Sequence, residues 1–306
     1  MGAPNQSSAA HPVKRREVVF YVYGCAAAPR RRRKASVGAP LPRPAAALEA
    51  GSSCRWIEEQ GVAALVSPLP AAVYEEAPLA RHMENVAWLA ERVERHNRVL
   101  LEAMAHTPVA PCRFGVLLRK PEGVVGMLRR LRTPLLKTLK RLGDGREWSV
   151  KAFAISPPAR PGPGRGSPAE PARAATGGKA YLLARAQERA AQREATARAR
   201  GRAGRLLALL ARLARDVVPL PARAMKGQAE PFLNLACLVR RRDTRRWLRR
   251  LQAMAQREQN NSLRLAWSGP WPPYSFVAEL SDPAACGRGA DDDVGKRPQA
   301  RSSGRR

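Results

Sequence analysis

Aromatic side chains are scarce in this sequence, with six Trp, five Tyr and five Phe in 306 residues. Any place where they gather therefore stands out. Acidic side chains are scarce too, 25 Asp and Glu against 55 Lys and Arg, which leaves few candidates for general acids and bases. There is no G-x-S-x-G, no Walker loop and no H-E-x-x-H. Neighbouring carboxylates such as Glu58–Glu59 and Glu75–Glu76 stand without a metal-ligand pattern. The expectation is a chain with no catalytic residues, no cofactor and no metal. Cys25, Cys54, Cys112, Cys237 and Cys286 are odd in number and far apart, and the four His form no zinc spacing with them. That reads as reduced thiols in a cytoplasmic protein. Long apolar runs are missing as well: no window reaches the ~18 residues of a membrane span. "KRREVVFYVYGCAAA" looks like an export signal, but Glu17 interrupts it and Tyr23 is bulky where cleavage needs small residues.

The net charge is +30. Such a chain attracts nucleic acid or anionic surfaces non-specifically, so a basic nucleic-acid-binding protein is one reading. The base is supplied by 46 Arg and only 9 Lys, beside abundant Ala and Pro. Arg, Ala, Pro and Gly share GC-rich codons, so compositional drift accounts for the charge without a polyanion partner. "VFYVYG" and "RFGV" echo the aromatic strands of RNA recognition motifs, whose rings stack on bases. Here they lie far apart, and Leu118 stands where a second ring is needed.

Along the chain, residues 1–16 read as a disordered leader and 281–306 as a disordered tail. Strands are expected over 17–24, 61–67 (closed by Pro68 and Pro70), 112–118 and 146–155. A flexible insertion is expected over 25–55. A long helix is expected from Leu79 to Ala105, with Leu79, Met83, Val86, Ala90, Val93, Asn97, Leu100 and Met104 as its buried stripe and His96 on the flank as a satisfied core residue. A second helix opens at Pro121 and ends at Gly143, with Val124, Leu128, Leu131, Leu135, Leu139 and Leu142 inward and a kink at Pro134. These elements compose an N-terminal α+β domain over 17–155 with helices on one sheet face. Residues 156–178 read as a Pro/Gly-rich linker. A C-terminal α+β domain follows over 179–280. It holds a long Ala/Arg-rich helix at about 179–215, a strand at 232–239, a helix at 243–256 with Trp247, Leu251 and Met254 inward, and a final strand with a Pro turn.

That final strand contains "SGPWPPYSF" (268–276), where Trp267, Trp271, Tyr274 and Phe276 crowd beside Gly269, Pro270, Pro272 and Pro273. With "YVYG" (21–24), "GVAALVS" (61–67), "HNRVL" (96–100), "PCRFG" (111–115), "EWSVK" (147–151), "AYLLAR" (180–185) and "LNLACLV" (233–239), it makes an ordered series. The series resembles the gas vesicle accessory protein family GvpF/GvpL over residues 17–280. The resemblance implies two domains of modified ferredoxin-like α+β type and no catalysis. It also implies a cytoplasmic role in building gas vesicles, with the hydrophobic shell protein and other vesicle accessory proteins as partners. "CAAAPRRRRK" after "YVYG", and "RFGVLL", depart from the family pattern. The candidate partner-binding or structural residues are those eight of the Trp/Pro motif together with Arg113, Phe114 and Gly115. The Trp/Pro motif is expected to be a rigid seal that also presents a partner surface.

Overall fold

The computed structural model of the protein describes residues 17–28, 41–155, 177–223, 230–259 and 263–277. The chain divides into two compact units at Leu139/Lys140. Each is a mixed unit, an antiparallel sheet with helices packed on it.

In the first unit, β1 (Val18–Ala27) is the central strand, and its apolar and aromatic run is buried throughout from Val19 to Ala26, including Tyr23 at the one register shift. It pairs with β3 (Val62–Pro70), which pairs in turn with β2 (Arg55–Glu59). Along the other edge of β1 lie β4 (Val109–Pro111) and then β5 (Leu117–Leu118). The strand expected over 112–118 is therefore broken. Cys112 and Val116 still bond to β1 through their backbones, but the residues between them bulge out. Nor do Pro68 and Pro70 close β3. Its register with β2 ends at Val66, so both prolines lie where β3 has a single neighbour and a missing donor costs nothing.

The helix expected from Leu79 to Ala105 is two pieces, the end of α2 (Glu76–Met83) and α3 (Val86–Met104), preceded by a single turn, α1 (Ala71–Tyr74). The break is at Asn85, whose side chain accepts from the Trp88 amide and caps α3. The expected stripe is buried only at its ends: Leu79, Leu100 and Met104 face inward together with His96, Val99 and Ala103, Val93 and Asn97 are half-buried, and Met83, Val86 and Ala90 are exposed. Gly24 of β1 explains how closely α3 lies. A Cβ at that position would stand 2.7 Å from the Ala110 carbonyl oxygen and 3.1 Å from Leu100. The flexible insertion over 25–55 is corrected at both ends. Residues 25–27 continue β1, and 41–54 are strapped over α3. Glu102 accepts the amides of Ala45 and Ala46 at 2.9 and 3.0 Å, Arg92 pairs with Glu49 at 3.2 Å, and Leu48 is fully buried. Residues 29–40 lie outside the described residues, as do 1–16 and 281–306. The expected face of α4 (Pro121–Leu142) is buried at every one of its six positions, and Pro134 lies within the helix.

The second unit contains β6 (Gly145–Ala154), α5 (Gly177–Leu213), β7 (Asp216–Pro219), β8 (Leu233–Arg240), α6 (Thr244–Gln259) and β9 (Leu263–Trp271), in sheet order β7-β8-β6-β9. β6 was expected to finish the first domain, but it is a central strand here, hydrogen-bonded to β8 and β9. The boundary at 155 is thus replaced by one inside α4, and 156–178 joins two elements of one unit. Residues 156–176 themselves lie outside the described set. One core packs Trp148, Val150, Leu235 and Cys237 of the sheet against Leu210 of α5 and Trp247 and Leu251 of α6. Met254 packs partly against it, and Leu206 joins a neighbouring cluster with Leu263 and Leu265. No helix among the described residues is long and apolar enough to cross a membrane.

The sheet order carries a test. If a protease site is inserted within 156–176 and cut, the two fragments should co-elute in native gel filtration, because β6 pairs with strands from the far fragment on both sides. Clean separation into two folded fragments would restore the boundary at 155.

Candidate functional site

The Trp/Pro motif is built on the edge strand β9. Leu263 and Leu265 bury against Ala152 and Leu206, and on the alternate face Arg264 stacks over Phe153 at 4.5 Å. The β6 register runs Val150↔Trp267 and Ser149↔Ser268, then jumps to Glu147↔Trp271. Gly269 and Pro270 thus stand together opposite Trp148, a bulge of two residues against one. Gly269 has φ +142°, and a Cβ there would meet the Glu147 carbonyl oxygen at 2.9 Å and the Trp148 ring at 3.0 Å. The Gly269–Pro270 peptide is cis.

Beyond the bulge the chain turns inward. Pro272 and Pro273 are buried, Tyr274–Phe276 form a short 3-10 turn, and Phe276 is sealed into the core. A buried carboxylate fixes this turn. Glu147 accepts the Ser275 amide at 2.9 Å and its hydroxyl at 2.7 Å, and Arg141 donates to the Phe276 carbonyl. Burial pushes the Glu147 carboxyl up, and the two Ser275 donors pull it back down. Trp267 and Trp271, by contrast, are 38% and 41% exposed, and the Trp271 indole N–H donates to Ser268 Oγ at 3.2 Å. The motif is two-sided. Pro272, Pro273 and Phe276 close the unit, Tyr274 is half-buried, and the motif's two indoles look outward.

Arg113, Phe114 and Gly115 lie in the first unit, on the bulged segment between β4 and β5. Arg113 is exposed. The Phe114 ring packs edge-on against Tyr21 at 5.8 Å and His96 at 6.0 Å. Tyr21 shares a 2.8 Å hydrogen bond with His96 Nδ1 and takes the Gly115 amide at 3.4 Å. Tyr23 donates to Ser67 Oγ at 3.0 Å and accepts the Leu48 amide at 3.0 Å. Four separate sequence motifs, "YVYG", "GVAALVS", "HNRVL" and "PCRFG", thus meet around one buried aromatic cluster. Burial lowers the His96 pKa from 6.5 to about 4, against an opposing backbone hydrogen bond at Cys112. His96 is a neutral core residue. The sequence missed Ser67, Glu147 and Ser275, the polar groups that satisfy these interiors. Nothing in local patterning marks them, because their partners are distant in the chain.

Two clefts of about 260 and 290 Å³ run along 42–52 and α3. Glu102, in the second, already accepts two backbone amides. Among the described residues no group of three His, Cys, Asp or Glu could hold a metal ion.

A family model described as gas vesicle synthesis protein GvpL/GvpF matches residues 19–278. Gas vesicle protein L of Streptomyces sp. (strain CB03234) is 29% identical over 233 residues, which is 74% of this chain and 84% of that protein. Crystal structures of the gas vesicle protein GvpF from Anabaena sp. PCC7120 and from Microcystis aeruginosa superpose with TM-scores of 0.56 and 0.54. Both are 17% identical, and the matches cover 85% of this chain and 96% and 99% of theirs. At that identity the likeness is one of fold.

Two substitutions separate the faces of the Trp/Pro motif. Phe276→Ala should cost ~3–5 kcal/mol in denaturant titration, whereas Trp271→Ala should change stability by under about 1 kcal/mol. The first unit has a pH signature. Unfolded His96 binds its proton near pH 6.5 and folded His96 only near 4. Stability is therefore complete above about pH 6.5 and falls by up to about 3 kcal/mol as the pH drops to about 4. His96→Asn should flatten that part of the stability–pH curve.

Proposed function

The chain belongs to the GvpL/GvpF family of gas vesicle synthesis proteins, and from that premise we propose that it is a non-enzymatic assembly factor that captures the hydrophobic shell protein in the cytoplasm while vesicles are built. An accessory role in gas vesicles follows from the family. Capture of the shell subunit is the finer step. An amphipathic shell subunit aggregates unless its apolar surface is covered before incorporation.

The observation that supports capture is the two-sidedness of the Trp/Pro motif. Its inward half anchors the segment through Glu147 and Phe276, and its outward half holds Trp267 and Trp271 beside a bulge on an edge strand. An edge strand can add a partner's strand through main-chain hydrogen bonds, and rigid indoles contribute large contact area at low entropic cost. The segment from Trp267 to Val277 contains no basic residue, so this surface suits an apolar partner rather than a polyanion.

Co-expression with the shell protein and a pull-down at moderate salt is the direct test. The Trp267→Ala/Trp271→Ala double variant should retain its melting temperature and weaken shell-protein retention at least about tenfold. Retention that collapses with salt, matched by binding to nucleic acid, would favour the polyanion reading instead. Full retention by the double variant would overturn capture through this motif.

A further inference from the structure

Edge strands expose a row of unpaired main-chain groups, and native proteins guard them with charge, proline or short length. Three of the four sheet edges among the described residues follow that rule. β2 carries Arg55, Glu58 and Glu59 in five residues, β7 begins with Asp216 and ends in Pro219, and β4 and β5 are three and two residues long. β9 does not follow it. Its stretch Leu263–Ser268 pairs with β6 alone among the described residues and holds one charged side chain, Arg264. That guanidinium lies over the Phe153 ring of β6 at 4.5 Å, turned toward the neighbouring strand and away from the open edge. The bulge at Gly269 and Pro270 closes only the far end.

The two indoles flank this edge from opposite sides. Val150 pairs with Trp267, and Glu147 with Trp271. Val150 and Glu147 are three residues apart on β6, whose register with β8 is unbroken, so they point to opposite faces. Partners in a ladder share a face. Trp267 therefore stands on the face of Leu263 and Leu265, which pack against Leu206 of α5 and Met254 of α6. Trp271 stands on the face of Glu147 and Ser268, and its N–H reaches Ser268 Oγ. Each indole is open on its own side. An amphipathic helix has one apolar stripe and a diameter of about 10 Å, so it covers one of these indoles and leaves the main-chain groups between them unpaired. A strand added to β9 lies about 4.8 Å away, takes those groups and sends alternate side chains to the two faces.

We propose that the part of the shell protein taken up at this edge is an extended strand, apolar on both of its faces, with Trp267 reading one face and Trp271 the other. This rests on shell-protein capture through the Trp/Pro motif and adds the form of what is captured. A strand with no polar side needs cover on both before incorporation, and β9 supplies an indole for each.

Hydrogen exchange read residue by residue on the full chain, with and without co-expressed shell protein, tests this. In an antiparallel ladder every second amide of Leu263–Ser268 points away from β6. Those amides should exchange at least about tenfold more slowly in the complex. Trp267→Ala and Trp271→Ala, made singly, should each weaken shell-protein retention about threefold or more at an unchanged melting temperature. Shell protein retained with those amides unchanged overturns strand addition and leaves capture standing. Retention that depends on one indole only points to a one-sided partner such as a helix, and overturns it too. Slow exchange that appears without shell protein and grows with chain concentration assigns the edge to a second copy and overturns it as well. A parent chain that retains no shell protein sinks capture and strand addition together.

Discussion

A strand covered on both faces loses stability for each polar group it carries into the interior without a partner, because no water reaches it there. β1 brings in Tyr21 and Tyr23, and each hydroxyl is matched by a group from far along the chain, His96 in one case and Ser67 with the Leu48 amide in the other. β6 brings in Glu147, and the Ser275 amide and hydroxyl match it. Each pairing drags a distant segment into place. The Leu48 strap, α3, the 112–116 bulge and the closing turn after β9 all take their positions from polar groups that the two central strands cannot leave alone. An unsatisfied partner in such a site costs more than the bond itself gains, so the arrangement is specified as well as stabilised.

The parts of the fold legible in the sequence were those set by local chemistry. α4 announced itself through Pro121, Gly143 and six apolar positions on one face, and α6 through Trp247 and Leu251. β1 was marked by a β-branched and aromatic run, and β8 and β9 by short apolar runs. Strand partners were not legible. β6 looked the same whichever sheet it joined, and only its pairing with β8 and β9 assigns it to the second unit. β2 and β7 are short and mixed in polarity, so periodicity gave no signal for them. α3 misled for a different reason. Its regular apolar stripe is buried at Leu100 and Met104 but faces solvent at Val86 and Ala90, so spacing alone did not show where cover ends.

The candidate site was legible as a cluster but not as a division of labour. Counting aromatics located 267–276, and the prolines ruled out a regular central strand. Which ring turned inward depended on the bulge opposite Trp148 and on Glu147, neither visible in the motif. The same holds for Phe114 and Gly115, which serve the interior around Tyr21, while their neighbour Arg113 stays outside.

The Ala- and Arg-rich composition meets a boundary at Gly24 and Gly269. Glycine codons lie one base from those of both alanine and arginine, so in a chain rich in both each glycine is a single base change from either. At Gly24 any side chain collides with the Ala110 carbonyl, and at Gly269 with the Glu147 carbonyl in a backbone conformation that other residues rarely adopt. At these two positions backbone geometry alone fixes the residue. Among relatives in genomes of very different base content, they should be the points at which the alphabets agree.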